Sequence, residues 1–226
     1  MSKKRKSAQR KNTRWLVGGA VAVIVLAGAL VVSSLVSAAA RPTPAPSAAA
    51  PSALDKCGGA DCGQANAPVT IEVYADFQCP YCARADAVLQ QIAPKYIDTG
   101  KARLIYRNMA ILGTESEWAA QAAECAGDQS KFWAFGNYLF THQSGENTGA
   151  FSMENLKRFA VPLGLDPSTF NACLNSGKYS ATVQQQTAEG QQRGVQATPT
   201  FFINGQKYEG VLSAEQLSAL IDAKVQ

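Results

Sequence analysis

The sequence predicts an α/β fold with an inserted α-helical subdomain, preceded by a single N-terminal transmembrane helix. Three observations carry this. The run "VTIEVYA" at 69–75 alternates and is rich in β-branched residues, and a stretch with helical spacing follows it. A second strand-like run, "ARLIYRN" at 102–108, leads into a long helical region. A third, "TFFI" at 200–203, precedes an Asn-Gly turn and a closing helix. The order is β-α-β, a helical block, then β-β-α.

The N-terminus is a basic tail. Lys3, Lys4, Arg5, Lys6, Arg10, Lys11 and Arg14 carry +7 before residue 15, against a formal +4 for the whole chain, so the rest is net −3. Residues 15–37, "WLVGGAVAVIVLAGALVVSSLVS", have no charged side chain. That length crosses a hydrocarbon core of roughly 30 Å as a helix. The tail before it then reads as a cytoplasmic, positive-inside signal rather than a nucleic-acid arm, with the C-terminal part outside the cytoplasm. The alternative is a signal peptide cut near Ser37–Ala40, against which the length of the apolar run argues. Residues 38–54 are Pro/Ala-rich and cannot form a core. Extended at roughly 3.1 Å per residue, they reach up to about 50 Å from the membrane. The folded domain is expected over 55–226.

Within it, "CARADAVLQQIAPKYI" reads as a helix with Pro94 near its end. The helical block is expected at about 112–190, with helices near 115–126, 128–142, 152–163 and 167–190. Phe132, Trp133, Phe135, Tyr138 and Phe140 recur at helical spacing and read as core. "QKYEGV" pairs with "TFFI" across Asn204-Gly205, and Ser213 caps the last helix.

His142 is the single histidine, which excludes histidine-rich metal sites and histidine-based catalysis and leaves it a structural reading. No phosphate loop or dinucleotide fingerprint is present.

Chemistry rests on six cysteines: Cys57, Cys62, Cys79, Cys82, Cys125 and Cys173. An even number in an exported domain points to disulfides. In "DFQCPYCARAD", Cys79 and Cys82 bracket Pro80-Tyr81 between a strand and a helix. Amide N–H groups and partial positive charge at a helix N-terminus stabilise a thiolate, and proline suits the first turn. Cys79 therefore reads as nucleophile and Cys82 as the resolving thiol. Two duller readings stand beside this. One is a passive disulfide. The other is a zinc-stabilised binding module on Cys57, Cys62, Cys79 and Cys82, whose gaps of four, sixteen and two residues suit a ribbon site.

"VTIEVYADFQCPYC", "AAECAGDQSKFWAFGNYLF" and "GVQATPTFFING" together resemble the DsbA-like thiol–disulfide oxidoreductases, a thioredoxin-fold family with an inserted helical domain. The likeness covers about residues 66–226. It implies a cis peptide bond at Thr198–Pro199 beside the active cysteines, and Thr198 and Pro199 as site residues. It implies oxidation of free thiols in exported substrate proteins, no cofactor, and reoxidation by a membrane quinone-linked partner of DsbB or VKOR type. A reductase or isomerase of the same fold is the alternative; isomerases of the fold carry a dimerisation domain for which 38–54 leave no room, so a monomer is expected. The sequence departs at one place: many relatives carry an acid six residues before the nucleophile, where this chain has Val73. Asp76 is the nearer acid and Glu72 lies on the opposite strand face; for both, a solvated strand-end carboxylate is the plain alternative. Cys125 and Cys173 are expected to form a structural disulfide, or else to be two small buried hydrophobes. Cys57 and Cys62 are expected to close a small structural loop, or else to relay electrons to Cys79/Cys82.

Overall fold

The computed structural model describes residues 53–225. The basic tail, the proposed anchor and all but the end of the proposed linker lie outside them. No helix among the described residues is long and apolar enough to cross a membrane.

The elements run β1 (Asp61–Cys62), β2 (Val69–Ala75), α1 (Pro80–Tyr96), β3 (Ala102–Asn108), α2 (Thr114–Gly127), α3 (Phe132–Thr141), α4 (Met153–Ala160), α5 (Pro167–Ser176), α6 (Ser180–Gln192), β4 (Thr200–Ile203), β5 (Gln206–Glu209) and α7 (Ala214–Asp222). The strands form one mixed sheet, ordered β1-β3-β2-β4-β5. β2 and β3 are parallel, as a helical crossover requires; the other pairs are antiparallel. Helices α2–α6 form the insertion between β3 and β4.

Alternation sets the two faces of β2. Ile71 and Val73 are fully buried, while Glu72 points to the other face and meets Arg193 at 2.9 Å and Arg107 at 3.4 Å. On that face Gly190 lets α6 lie against the sheet, because a Cβ there would come within 2.8–2.9 Å of Met109 and Tyr74. On the first face the aromatic stripe of α3 is core: Phe132 and Trp133 lie 5.3 and 6.1 Å from Tyr106, which stacks on Phe77 at 5.0 Å. Each such pair contributes roughly 0.5–1.5 kcal/mol beyond area burial. The insertion is thereby packed onto the strand end that carries the cysteines. His142 ends α3, stacked on Tyr138 at 3.8 Å.

Three boundaries differ from the sequence reading. The expected run over 167–190 is two helices, because Gly177 adopts a left-handed conformation (φ 64°) and caps α5. The helix expected from 128 starts at Phe132, since Ser130 is also left-handed (φ 59°). β1 was missed, as two residues show no alternation; it pairs with β3 through Asp61–Ile105 and Cys62–Leu104. Ser213 does cap α7, in a full capping box with Gln216.

Candidate active site

Cys79 is the N-cap of α1, with extended backbone (φ −78°, ψ 120°), and Pro80 opens the first turn. The Cys79 carbonyl accepts from the amides of Cys82 (3.0 Å) and Ala83 (3.2 Å). Cys82 lies one turn in. Both are free thiols, with Cys79 6% and Cys82 1% exposed. Cys79 is thus less open than a helix end alone suggests. The Thr198–Pro199 bond is cis, and the Cys79 thiol donates to the Thr198 carbonyl at 3.4 Å. The geometry therefore brings Cys79, Cys82 and the Thr198–Pro199 loop together.

The two thiols differ sharply. A hydrogen bond from Cys82 is the largest influence on Cys79; with help from Thr198 and the first-turn amides of Tyr81 and Cys82, it outweighs burial and brings the thiol down to about 6. Burial pushes the Cys82 thiol far above its ordinary range, and its neighbour Cys79 pushes the same way. One sulfur is set up to be a thiolate and the other to stay protonated.

The loop that carries Cys79 is held from the insertion. Asp76 is buried, not a solvated strand end: Oδ1 accepts from the Gln78 amide (2.8 Å) and Ser116 Oγ (2.6 Å), and Oδ2 from the amides of Ile111 (2.9 Å) and Leu112 (3.1 Å). Gln143 Nε2 donates to the carbonyls of Phe77 (2.7 Å) and Cys79 (3.1 Å). The Gln78 side chain bonds Ser116 Oγ at 2.8 Å and the Asn147 amide at 2.6 Å. Apart from the Gln78 amide, none of these partners has a local sequence signal, because all the others lie more than thirty residues from the loop. Glu72, by contrast, is half-buried and held between Arg107 and Arg193.

The remaining cysteines are joined as Cys57–Cys62 (Cα–Cα 5.2 Å) and Cys125–Cys173 (5.9 Å). The four-cysteine zinc site is not assembled, since Cys57 and Cys62 bond each other. A direct relay from them is out of reach as well. Cys62 is level with Leu104 and, through it, with Ile71, two strands over and four residues before the end of β2. At roughly 4.8 Å per strand and 3.3 Å per residue, that is on the order of 15 Å short of the strand end that leads to Cys79.

Residues 58–223 match a thioredoxin family model. Among solved structures, the chain is similar to α-DsbA1 from Wolbachia pipientis (26% identity, TM-score 0.66, covering 74% of this chain and 90% of that one). It is also similar to a thioredoxin-like oxidoreductase from Silicibacter pomeroyi (29%, TM-score 0.62, 76% and 95%) and to the disulfide bond oxidoreductase DsbG from Mycobacterium tuberculosis (27%, TM-score 0.62, 74% and 86%). A curated relative, the Na(+)/H(+) antiporter NhaA 3 of Salinispora tropica, is 32% identical over 161 residues, 70% of this chain. The chain spans about a quarter of the length of the curated relatives it matches. With a thioredoxin family match over most of its length and structural neighbours of DsbA and DsbG type, the chain belongs to the thioredoxin family.

Proposed function

We propose that the protein oxidises thiols of exported proteins, with Cys79 as nucleophile and Cys82 as the resolving thiol. The observation that carries this is the split between the two sulfurs: Cys79 is brought down to about 6 and Cys82 is driven up. A low nucleophile pKa stabilises the reduced pair and so makes the disulfide form a better oxidant. A substrate thiolate attacks Cys79 Sγ, the Cys79–Cys82 bond breaks, and a second substrate thiol then displaces Cys79. The substrate leaves with a disulfide and the pair keeps two electrons.

Residues 15–37 would anchor the chain, with the basic tail cytoplasmic, 38–54 as tether and 55–226 outside. The Cys57–Cys62 and Cys125–Cys173 disulfides support an oxidising compartment. A quinone-linked membrane protein of DsbB or VKOR type would reoxidise the pair.

Equilibrating the full chain with glutathione redox buffers tests the direction. A midpoint clearly more oxidising than about −200 mV supports the oxidase. A value near the thioredoxin level of about −270 mV makes it a reductase instead.

A further inference from the structure

The connection between α3 and α4 has a shape its residues allow. Gly145, Asn147 and Gly149 all take positive φ (107°, 51° and 90°), which glycine and asparagine tolerate best. The connection is pinned to the start of α2. Glu115 is buried, and its two carboxylate oxygens accept from the amides of Gly149 (2.6 Å) and Phe151 (2.8 Å). Asn147 Nδ2 donates to the Leu112 carbonyl (2.6 Å), and its Oδ1 accepts from the Glu115 amide (3.2 Å). This frame presents Gln143. Its Nε2 carries two hydrogens, and two carbonyls take them, Phe77 and Cys79, on either side of Gln78. Both partners are acceptors only, so the nitrogen end of the amide must face them.

The Cys79 carbonyl has a second duty. It is the first acceptor of the α1 ladder, taking the amides of Cys82 and Ala83. The helix and Gln143 therefore grip the Cys79–Pro80 peptide together. What the grip controls is ψ of Cys79, 120° here. Turning about that bond swings the carbonyl away from its donors. The same turn carries Sγ off the amides of Tyr81 and Cys82, which favour its thiolate. We propose that Gln143 is a positioning residue for thiol exchange: its side-chain amide fixes the Cys79 peptide so that the sulfur meets the first turn of α1. The assignment rests on the reading of Cys79 as nucleophile proposed above.

Gln143 acts through the backbone and not on the sulfur itself. Without its donor the Cys79 peptide is held by the helix alone, and other ψ values become accessible. The thiolate then loses part of its amide support, while the protonated thiol loses little. The expected change is therefore in the charge state of the sulfur rather than in access to it. A residue that only closed the connection between α3 and α4 would change stability and leave the charge state as it was.

The test follows alkylation of Cys79 by iodoacetamide across pH, in the full chain with the Cys79/Cys82 pair reduced and with mass analysis of the product. The wild-type rate should rise through a midpoint near 6. Gln143→Met keeps the length of the side chain and removes the donor. It should raise the midpoint, slowing alkylation roughly three- to tenfold well below it and leaving the rate well above it no slower. Asn147→Gly suits the positive φ of that position and cuts the side-chain bonds that pin the connection. It should move the midpoint the same way by a smaller factor, and it carries the test if Gln143→Met does not fold. An unmoved alkylation midpoint in Gln143→Met, even with a lowered thermal midpoint, overturns the proposal. So does equal slowing below and above the midpoint, which marks lost access rather than a lost thiolate. A wild-type Cys79 that titrates at the ordinary 9.0 overturns the nucleophile reading, and this assignment with it.

Discussion

Cys79/Cys82 and Cys125/Cys173 are almost equally covered. Each pair has one cysteine 1% exposed and a second at 6–8%. Burial therefore does not separate the reactive pair from the structural one; position along a helix does. Cys79 caps the start of α1, where first-turn amides face it. Cys125 is two residues from the end of α2, and Cys173 three from the end of α5. Helix C-termini present carbonyls and partial negative charge, which disfavour a thiolate. A bond between two such sulfurs has neither sulfur stabilised as an anion and stays closed. The lesson is that the same residue at similar depth is made reactive or inert by which end of a helix it meets.

The largest expected effect removes the difference altogether. Cys79→Ala should abolish thiol oxidation, because the remaining Cys82 lacks the helix-end position. Cys82→Ala should instead leave Cys79 locked in mixed disulfides, formed as its thiolate attacks a substrate disulfide and expels one of the substrate's thiolates, with no Cys82 to release it; these are visible as a ladder on non-reducing gels and lost with reductant. A ladder that depends on Cys82 rather than Cys79 would invert the assignment.

Next in size is the structural pair. Cys125 and Cys173 are 48 residues apart, so loop-closure entropy gives roughly 4 kcal/mol. Replacing both with Ala should lower the thermal midpoint by roughly 10 °C, measured by circular dichroism. Alkylation of Cys79 should keep its pH midpoint. For Cys57–Cys62, five residues apart, the same argument gives about 2 kcal/mol. A shifted Cys79 midpoint in the Cys125/Cys173 double variant would mean that the two pairs are not independent.

A smaller effect sharpens the electrostatic side. The alkylation rate of Cys79 should follow a single midpoint at about pH 6, against an ordinary thiol value of 9.0. The sign follows from the lowered value. The folded chain binds its Cys79 proton more weakly than the unfolded chain, so the reduced form gains stability as pH rises. That gain is complete above about 9 and is lost as pH falls through about 6. Because the hydrogen bond from Cys82 is the largest cause, Cys82→Ala should move the midpoint upward. An unmoved midpoint would transfer the credit to the helix end alone.

Much of this was legible in the sequence. "VTIEVYA" and "ARLIYRN" announce their strands through alternation that burial then obeys, and Pro80 between the cysteines marks a helix start. What escaped was non-local. Asp76 looked like a strand-end acid because three of its four donors come from residues 111, 112 and 116, which only the fold beyond β3 brings near.

The smallest effect concerns α2, which contributes to both pairs. Its first turns carry Ser116, whose hydroxyl donates to Asp76 below the reactive loop, and its last turn carries Cys125. Ser116→Ala removes that bond, at 2.6 Å, and leaves Gln78 Nε2 without its Ser116 contact. The site is buried, so the loss should be about 1–2 kcal/mol. If α2 is a rigid support, Ser116→Ala and the Cys125/Cys173 double replacement should couple. Their combined loss of stability should then differ from the sum by roughly 0.5 kcal/mol or more in a double-mutant cycle. Strict additivity would mean that the disulfide stabilises the insertion alone, and that the reactive loop is held from α2 without its help.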